Sequence, residues 1–541
     1  IDTANFQNYD ENKNLISNFV STKEEQYNLG FFSRIATYNI DSNSIYCQEI
    51  PYIIVADSRI IPHEGKLTIL KDAEIKVMKK ATIVANFTTR YHNFSNAVVE
   101  IESSKRYIAT GDYQVSSDEM INSKVFFSNI EPDENGVSIA EGTISEDSNF
   151  YLSPQFRYYG NIKVKGSDLG VNFDGQTKII TNCEELALDW IKFNAVVDTN
   201  KIIIPLGDYF KDKVSGPTLS RYNGVEFYTA FLADKKYEGD EAITPADGFL
   251  SYSKEKGLFE IGPKEKLLNN KVAGNYIGFD DEICSFVSIG DLNVASNLSQ
   301  MKIELVGEMS YNKLKDTFLT MNASMKIDFP VNMQLMGRMY QEIRAVEVQE
   351  LISLESTNYD LFLNQMLDNQ SASAKINEIY TSGRFSKFPK ELMSKITLFD
   401  LQFYWDKNTE SFLSQGFANI ASLGTNQLYR RCKVYVQIEK RRTGDRVGFL
   451  IEYKPEGFYY FYYKNGEMQT YSTDKVYNNI VQMTPVKEKK IKGGKDEEDF
   501  YYGLSSLNKP LLFMRNFQSD LEERFDDEED DYEDEEENED T

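Results

Sequence analysis

Residues 457–474, GFYYFYYKNGEMQTYSTD, constrain the fold more than any other stretch. The Asn465-Gly466 pair favours a type I′ turn, in which both central residues need positive φ. That turn sets a hairpin register with Lys464 facing Glu467 as an opposite-charge cross-strand pair. Tyr463, Phe461 and Tyr459 then lie on one face with Met468, Thr470 and Ser472. Tyr462, Tyr460 and Phe458 lie on the other with Gln469, Tyr471 and Thr473. A strand that is apolar on both faces is usually covered on both. The bland reading is therefore a central strand, with helices on one side and another sheet or a partner on the other. Two sharper readings stand beside it. One is a tyrosine platform for sugar rings, which more often use the Trp that is scarce here. The other is a protein–protein interface, where Tyr is enriched. The interaction surface under either is Tyr459, Tyr460, Phe461, Tyr462, Tyr463 and Tyr471.

The wider chain supports strands. With 34 Tyr, 35 Phe and only 13 Pro among 541 residues, its composition leans to β structure. Residues 1–45 read as a polar lead-in with a helix-compatible stretch, NKNLISNFVSTKEEQYNLGFF. Residues 46–150 contain short units at Ala73-Glu74-Ile75, Ala81-Thr82-Ile83 and Ala97-Val98-Val99. Small residues recurring in short strands can stack as rungs of a parallel solenoid, or can belong to an ordinary sandwich. Across 151–330, Gly160, Gly166, Gly170 and Gly175 punctuate segments of period two, the mark of half-buried strands in a sheet or sandwich unit. Residues 331–395 switch to helical spacing, and Pro389 suits the first turn of the last helix there. An antiparallel meander follows at 396–518, with turns at 443–445 and 465–466, a basic loop at 486–499 and a last strand-like piece, PLLFMRNF. Residues 519–541 form an acidic tail expected to be disordered, because a block of like charge cannot collapse. The expected fold is mainly β: a multi-unit sheet, solenoid-like and sandwich architecture with a small helical insertion.

Charge excludes two partner classes. Residues 520–541 hold 16 Asp and Glu against one Arg, so they carry −15 of the net −26 and the rest of the chain is acidic too. Phosphate backbones and anionic membrane surfaces are repelled, which argues against nucleic acid. No apolar run is long enough for a membrane-spanning helix. The start has neither a signal-peptide pattern nor an initiator Met, and reads as processed or excised from a longer precursor.

Chemistry has little raw material. The two histidines, His63 and His92, cannot supply a His-based metal site or a Ser/His/Asp triad. Cys47, Cys183, Cys284 and Cys432 lack metal-ligand spacing and read as buried small hydrophobes, against one or two bridges. Asp280-Asp281-Glu282, Asp174 and Asp240-Glu241 are the only carboxylates that could act as a glycosidase-type pair, and turns explain them as well. No DxDxDG, GxGxxG or GxxxxGK[ST] pattern occurs. No catalytic residue, cofactor or metal site is expected.

The stretches DAEIKVMKKATIVAN…HNFSNAVVEIESSKRYIATGDYQ, FYLSPQFRYYGNIKVKGSDLGVNFDG and GFYYFYYKNGEMQTYSTDKVYNNIV resemble the C-terminal part of large, uncharacterised, β-rich proteins exported to the cell envelope of Bacteroidota. The resemblance implies export to the periplasm or cell surface and an envelope role, and it carries no functional residue. The expected function is a non-enzymatic envelope scaffold or protein-interaction protein with a protein partner. The alternative is a glycan-binding or glycan-cleaving module. A cytosolic acidic chaperone-like role is disfavoured by the strand content.

Overall fold

The computed structural model describes residues 5–9, 15–116, 121–184, 186, 188–199, 201–315, 318–347, 354–494 and 498–517. The protein is mainly β and has several sheets. It divides into two units, one of residues 1–182, 188–209 and 250–252, the other of 183–187, 210–249 and 253–541. The acidic tail lies outside the described residues.

The first unit is an antiparallel meander. Its main sheet starts with Asn5–Tyr9, Leu15–Val20 and Gly30–Ser33, and passes through Ile53–Val55 and Ser58–Ile61. It then follows the chain from Met78–Ala85 to Ile191–Val197. The excursion between Gly30–Ser33 and Met78–Ala85 makes a second sheet of three strands, Ile35–Asn39, Ser44–Gln48 and Leu67–Ile69. The solenoid expectation for residues 46–150 is corrected by this pairing. Met78–Ala85 and His92–Ser103 run antiparallel, with Ala81 directly opposite Ala97. Both alanines are fully buried. The recurring small residues are thus cross-strand partners on one inner face, where opposed Cβ atoms come close. Ala73 lies in a 3-10 turn and belongs to no strand. The helix-compatible lead-in is also corrected: residues 15–20 and 30–33 are strands joined through a single 3-10 turn, Glu24–Gln26. Its apolar residues Phe19 and Phe31 pair across that connection with rings stacked at 5.3 Å, which helical spacing would separate.

His92 is buried in this unit. Its Nε2 lies 2.7 Å from the carbonyl of Asp168 and its Nδ1 2.9 Å from the Tyr113 hydroxyl. A carbonyl can only accept, so Nε2 carries the proton and Nδ1 accepts from Tyr113. This arrangement holds the neutral ring, and burial pushes its pKa below the usual value.

The second unit is built on another antiparallel run. From Leu258–Gly262 the order is Tyr276–Asp280, Ser285–Asp291, Lys302–Tyr311, Leu319–Asp328, Ser394–Asp406, Ser411–Gly424, Asn426–Glu439, Arg446–Lys454, Gly457–Lys464 and Glu467–Ser472. Phe500–Leu504 then adds in parallel. Leu319–Asp328 pairs with Ser394–Asp406, so the helical stretch is an excursion between adjacent strands. Its helices are Met333–Ala345, Thr357–Met366 and Asn369–Ser382. Asn332, Ser356 and Asp368 cap them, each side chain accepting a backbone N–H of the first turn. The third helix ends at Gly383, with φ of 71°. Tyr359, Phe362 and Leu363 pack on Phe399 and Ala421 of the sheet. SKFPKELMSKI is corrected from a helix to a single 3-10 turn, Lys390–Leu392, feeding the strand Ser394–Asp406.

The hairpin at 457–474 has the register set by its turn. Asn465 and Gly466 have φ of 49° and 77°. Lys464 pairs with Glu467, Tyr463 with Met468, Phe461 with Thr470 and Tyr459 with Ser472. Both faces of Gly457–Lys464 are covered. On one, Phe461 stacks on Phe449 at 4.7 Å and Tyr459 meets Tyr477 of the helix Lys475–Met483 at 5.1 Å. On the other, Tyr460 packs against Phe513 at 5.4 Å. Phe513 belongs to the helix Asn508–Arg515, which corrects the strand expected at PLLFMRNF. A Cβ on Gly448 would lie 2.5 Å from the Phe513 ring, so the missing side chain makes the seat for that helix. The basic loop at 486–499 also contains a short helix, Val486–Lys489, and a two-residue strand, Lys490–Ile491.

Two tests follow from this packing. Phe461→Ala removes a ring with 1% exposure and should lower unfolding free energy by about 3–5 kcal/mol in denaturant titration. His92 has a depressed folded pKa, so the unfolded chain takes up its proton first as pH falls. Stability should drop as pH falls below about 6.5, and His92→Asn should flatten that slope in melts at pH 5 to 7.

Candidate functional site

The interaction surface named from the sequence sits mostly inside the second unit. Tyr459, Tyr460, Phe461 and Tyr463 are buried. Tyr462 and Tyr471 are half-buried at the edge of the cluster formed with Phe513 and Phe517. The carboxylates occupy structural positions. Asp280 accepts the backbone N–H of Glu282 at 3.0 Å in the turn before Ser285–Asp291. Asp240 is buried and accepts from the Tyr228 hydroxyl and the Tyr237 amide. Asp174 lies in the strand Val171–Ile179 opposite Asn161 and Asn194. Among the described residues no group of three or more His, Cys, Asp and Glu is placed to hold a metal ion, and no helix is long and apolar enough to cross a membrane.

The cysteines divide into two kinds. Cys183 and Cys284 form a disulfide across a separation of 101 residues, a correction to the reading of all four as thiols. Nothing in their spacing indicates which two would meet; the fold brings their Cα atoms to 5.6 Å. Cys47 and Cys432 are buried, and burial pushes their pKa values to about 11 and about 12. Such thiols are inert near neutral pH.

The strongest charge cluster is Lys440, Asp445 and Arg221 in the second unit. The Lys440 and Asp445 side chains have no exposure, with Nζ 2.5 Å from Oδ2. Arg221 grips the same carboxylate through both terminal nitrogens, at 2.6 and 3.2 Å. Lys440 also donates to the Val294 carbonyl, and the Ser296 amide donates to Asp445. Burial lowers the Lys440 pKa to about 8 even with Asp445 beside it. A buried ammonium and a carboxylate that already accepts from Arg221, Lys440 and the Ser296 amide cannot reach a substrate; the cluster clamps residues 221, 294–296 and 440–445 together.

A cleft opens in the first unit. With a volume of about 270 Å³, it lies between the main sheet and the three-stranded sheet. Phe19 and Phe31 form one wall. The other is a row across three strands, Tyr38 opposite Ile45 and Ile45 opposite Ile69. Gln26 lines the cleft and is buried, with Oε1 lacking any hydrogen-bond partner. Its amide orientation is set by Nε2, which donates to the Ala73 carbonyl at 3.3 Å. Its backbone is pinned too, since the Gln26 carbonyl accepts from the amides of Leu29 and Ser104. A buried acceptor left without a donor costs about 1–3 kcal/mol.

Beside the cleft, Ile35–Asn39 is an edge strand. It pairs with Ser44–Gln48 on one side, and among the described residues with no strand on the other. Four of its five residues are exposed, Ile35 and Tyr38 among them, and none is charged. Natural edges are usually blunted by Lys, Pro or a bulge, and this one has none of these. Val20, Phe32, Ile40, Tyr46 and Leu70 add exposed apolar surface within the same part of the chain. The sequence singled out neither Gln26 nor this edge. IATYN looks like any short strand, and a lone Gln in a polar lead-in carries no pattern; the signal was the absence of charge between Ile35 and Tyr38.

No protein family, no curated protein and no solved structure matches the chain. The clamp gives a direct test. Asp445→Asn leaves two cations facing one neutral amide and should lower stability by about 3–5 kcal/mol, read by chemical denaturation.

Proposed function

We propose that this chain is a non-enzymatic cell-envelope protein that holds a protein partner on a scaffold of β layers. The observation that carries the reading is the uncharged edge strand Ile35–Asn39 with exposed apolar side chains around it. An open row of backbone donors and acceptors is a template for another chain. Contiguous exposed apolar surface marks interaction sites in folded proteins. Export to the periplasm or cell surface is supported by the Cys183–Cys284 disulfide, since such bonds persist in oxidising compartments. The resemblance to exported envelope proteins of Bacteroidota points the same way.

A glycan is the second partner class, and one observation favours it. The second unit has a cleft of about 290 Å³ with a mixed polar and apolar lining. Glu308, Asn322, Ser310 and Thr320 face it from adjacent strands, paired Glu308 with Asn322 and Ser310 with Thr320. These groups match sugar hydroxyls. The Tyr276 ring, which could stack on a sugar, is buried and has the Lys256 ammonium over it at 5.2 Å.

The test is affinity purification of the full chain from native envelope, with chemical cross-links mapped by mass spectrometry and a glycan array run on the same material. The protein-holding reading expects a stoichiometric protein partner with cross-links to residues 20–80. Recovery of the chain alone, together with saturable glycan binding lost in Asn322→Ala, would replace it with the second reading.

A further inference from the structure

One face of the second unit's main sheet carries two covers with a gap between them. Alternate residues of Ser411–Gly424 share that face. Asn419 stands opposite Phe399, on which Tyr359 of the helix Thr357–Met366 stacks at 4.6 Å. Leu413, earlier on the same face, packs in the cluster of Phe513 and Phe517. Phe417 lies between these two covers, and 63% of its surface is exposed.

The gap is basic. Residues directly opposite on antiparallel strands point to the same face. Lys433 stands opposite Phe417 and Arg431 opposite Asn419, and both cations are exposed. The Arg431 guanidinium lies over the Phe417 ring at 4.8 Å. Glu452, half-buried, faces Lys433 from the next strand. In a chain of net charge −26, two exposed cations around one exposed ring mark a place for carboxylates.

The end of the described chain selects the occupant. Phe517 rests on Tyr435, with ring centroids 5.4 Å apart. Tyr435 shares strand and face with Lys433, two residues away, or about 7 Å. Residues 518–541 follow Phe517, and 16 of residues 520–541 are Asp or Glu. Asp520 is three residues beyond Phe517, a reach of about 10 Å in extended chain. The first acids of the tail, Asp520, Glu522 and Glu523, are thus within reach of Lys433 and then Arg431. A tethered segment acts at an effective concentration on the order of millimolar, so the contact does not need pairs strong enough to hold a free peptide.

We propose that the acidic tail, residues 518–541, docks in cis on this strip, with its carboxylates on Lys433 and Arg431 beside Phe417. The inference goes beyond the protein-holding reading and does not rest on it. The tail covers the strip, and an acidic segment of another protein must displace it to bind there.

The test is zero-length carbodiimide coupling on the full chain, which joins a lysine amine to a carboxylate in contact with it, mapped by peptide mass spectrometry. In the monomer, Lys433 should couple to acids of 520–541, with a yield above that of other exposed lysines, Lys254 and Lys487 among them. The yield should fall about fivefold in 1 M salt, where the screening length is about 3 Å. Arg431→Glu should lower it as well, and should leave coupling of Lys433 to Glu452, set by strand register, unchanged. Asp520→Asn combined with Glu522→Gln and Glu523→Gln should also lower it. The absence of any Lys433–tail product would overturn the proposal. So would tail coupling spread evenly over the exposed lysines, a product confined to cross-linked dimers, or a yield indifferent to salt and to Arg431→Glu.

Discussion

Backbone pairing between strands that follow one another in sequence is the interaction on which this molecule depends. Each unit is a meander in which successive strands satisfy each other's N–H and C=O groups. Such a sheet has two unavoidable consequences: its faces must be covered where they are apolar, and its ends present unpaired backbone. In the second unit the first consequence dominates. The strand Gly457–Lys464 is aromatic on both faces, so the chain supplies Lys475–Met483 to one face and Asn508–Arg515 to the other. Gly448 permits the second of these to dock, because Phe513 occupies the space a side chain there would fill.

In the first unit the second consequence is the informative one. The three-stranded sheet ends at Ile35–Asn39 without a charge, proline or bulge, and its inner row stops at Tyr38. The cleft lies over that row, between it and Phe19 and Phe31. Gln26, in the cleft lining, is held by the Nε2 bond to the Ala73 carbonyl and by its backbone carbonyl, which accepts from Leu29 and Ser104.

Much of the architecture was legible in the sequence where local chemistry decides it. The Asn465-Gly466 turn and the Lys464–Glu467 pair set the hairpin register, and the capped helices at 333–382 followed from spacing. Legibility failed where tertiary context decides. Phe19 and Phe31 are compatible with a helix until the sheet pairs them. PLLFMRNF has the apolar content of a strand, yet it folds as a helix because Phe513 and Phe517 must reach a face already built. Ala81 and Ala97 mimic a repeat because they are opposed on adjacent antiparallel strands. The disulfide was hidden because Cys183 and Cys284 are 101 residues apart. The cleft was illegible for the same reason: its walls come from residues 19 to 75.

The most direct measurement is amide hydrogen exchange on the full chain, alone and with its captured partner. Unpaired edge amides exchange readily, and amides in a strand ladder are protected. The account expects protection gained at alternate residues of Ile35–Asn39, with little change around Tyr462 and Tyr471. Unchanged exchange along that edge, with protection arising instead on the sheet face near Tyr462, would contradict it.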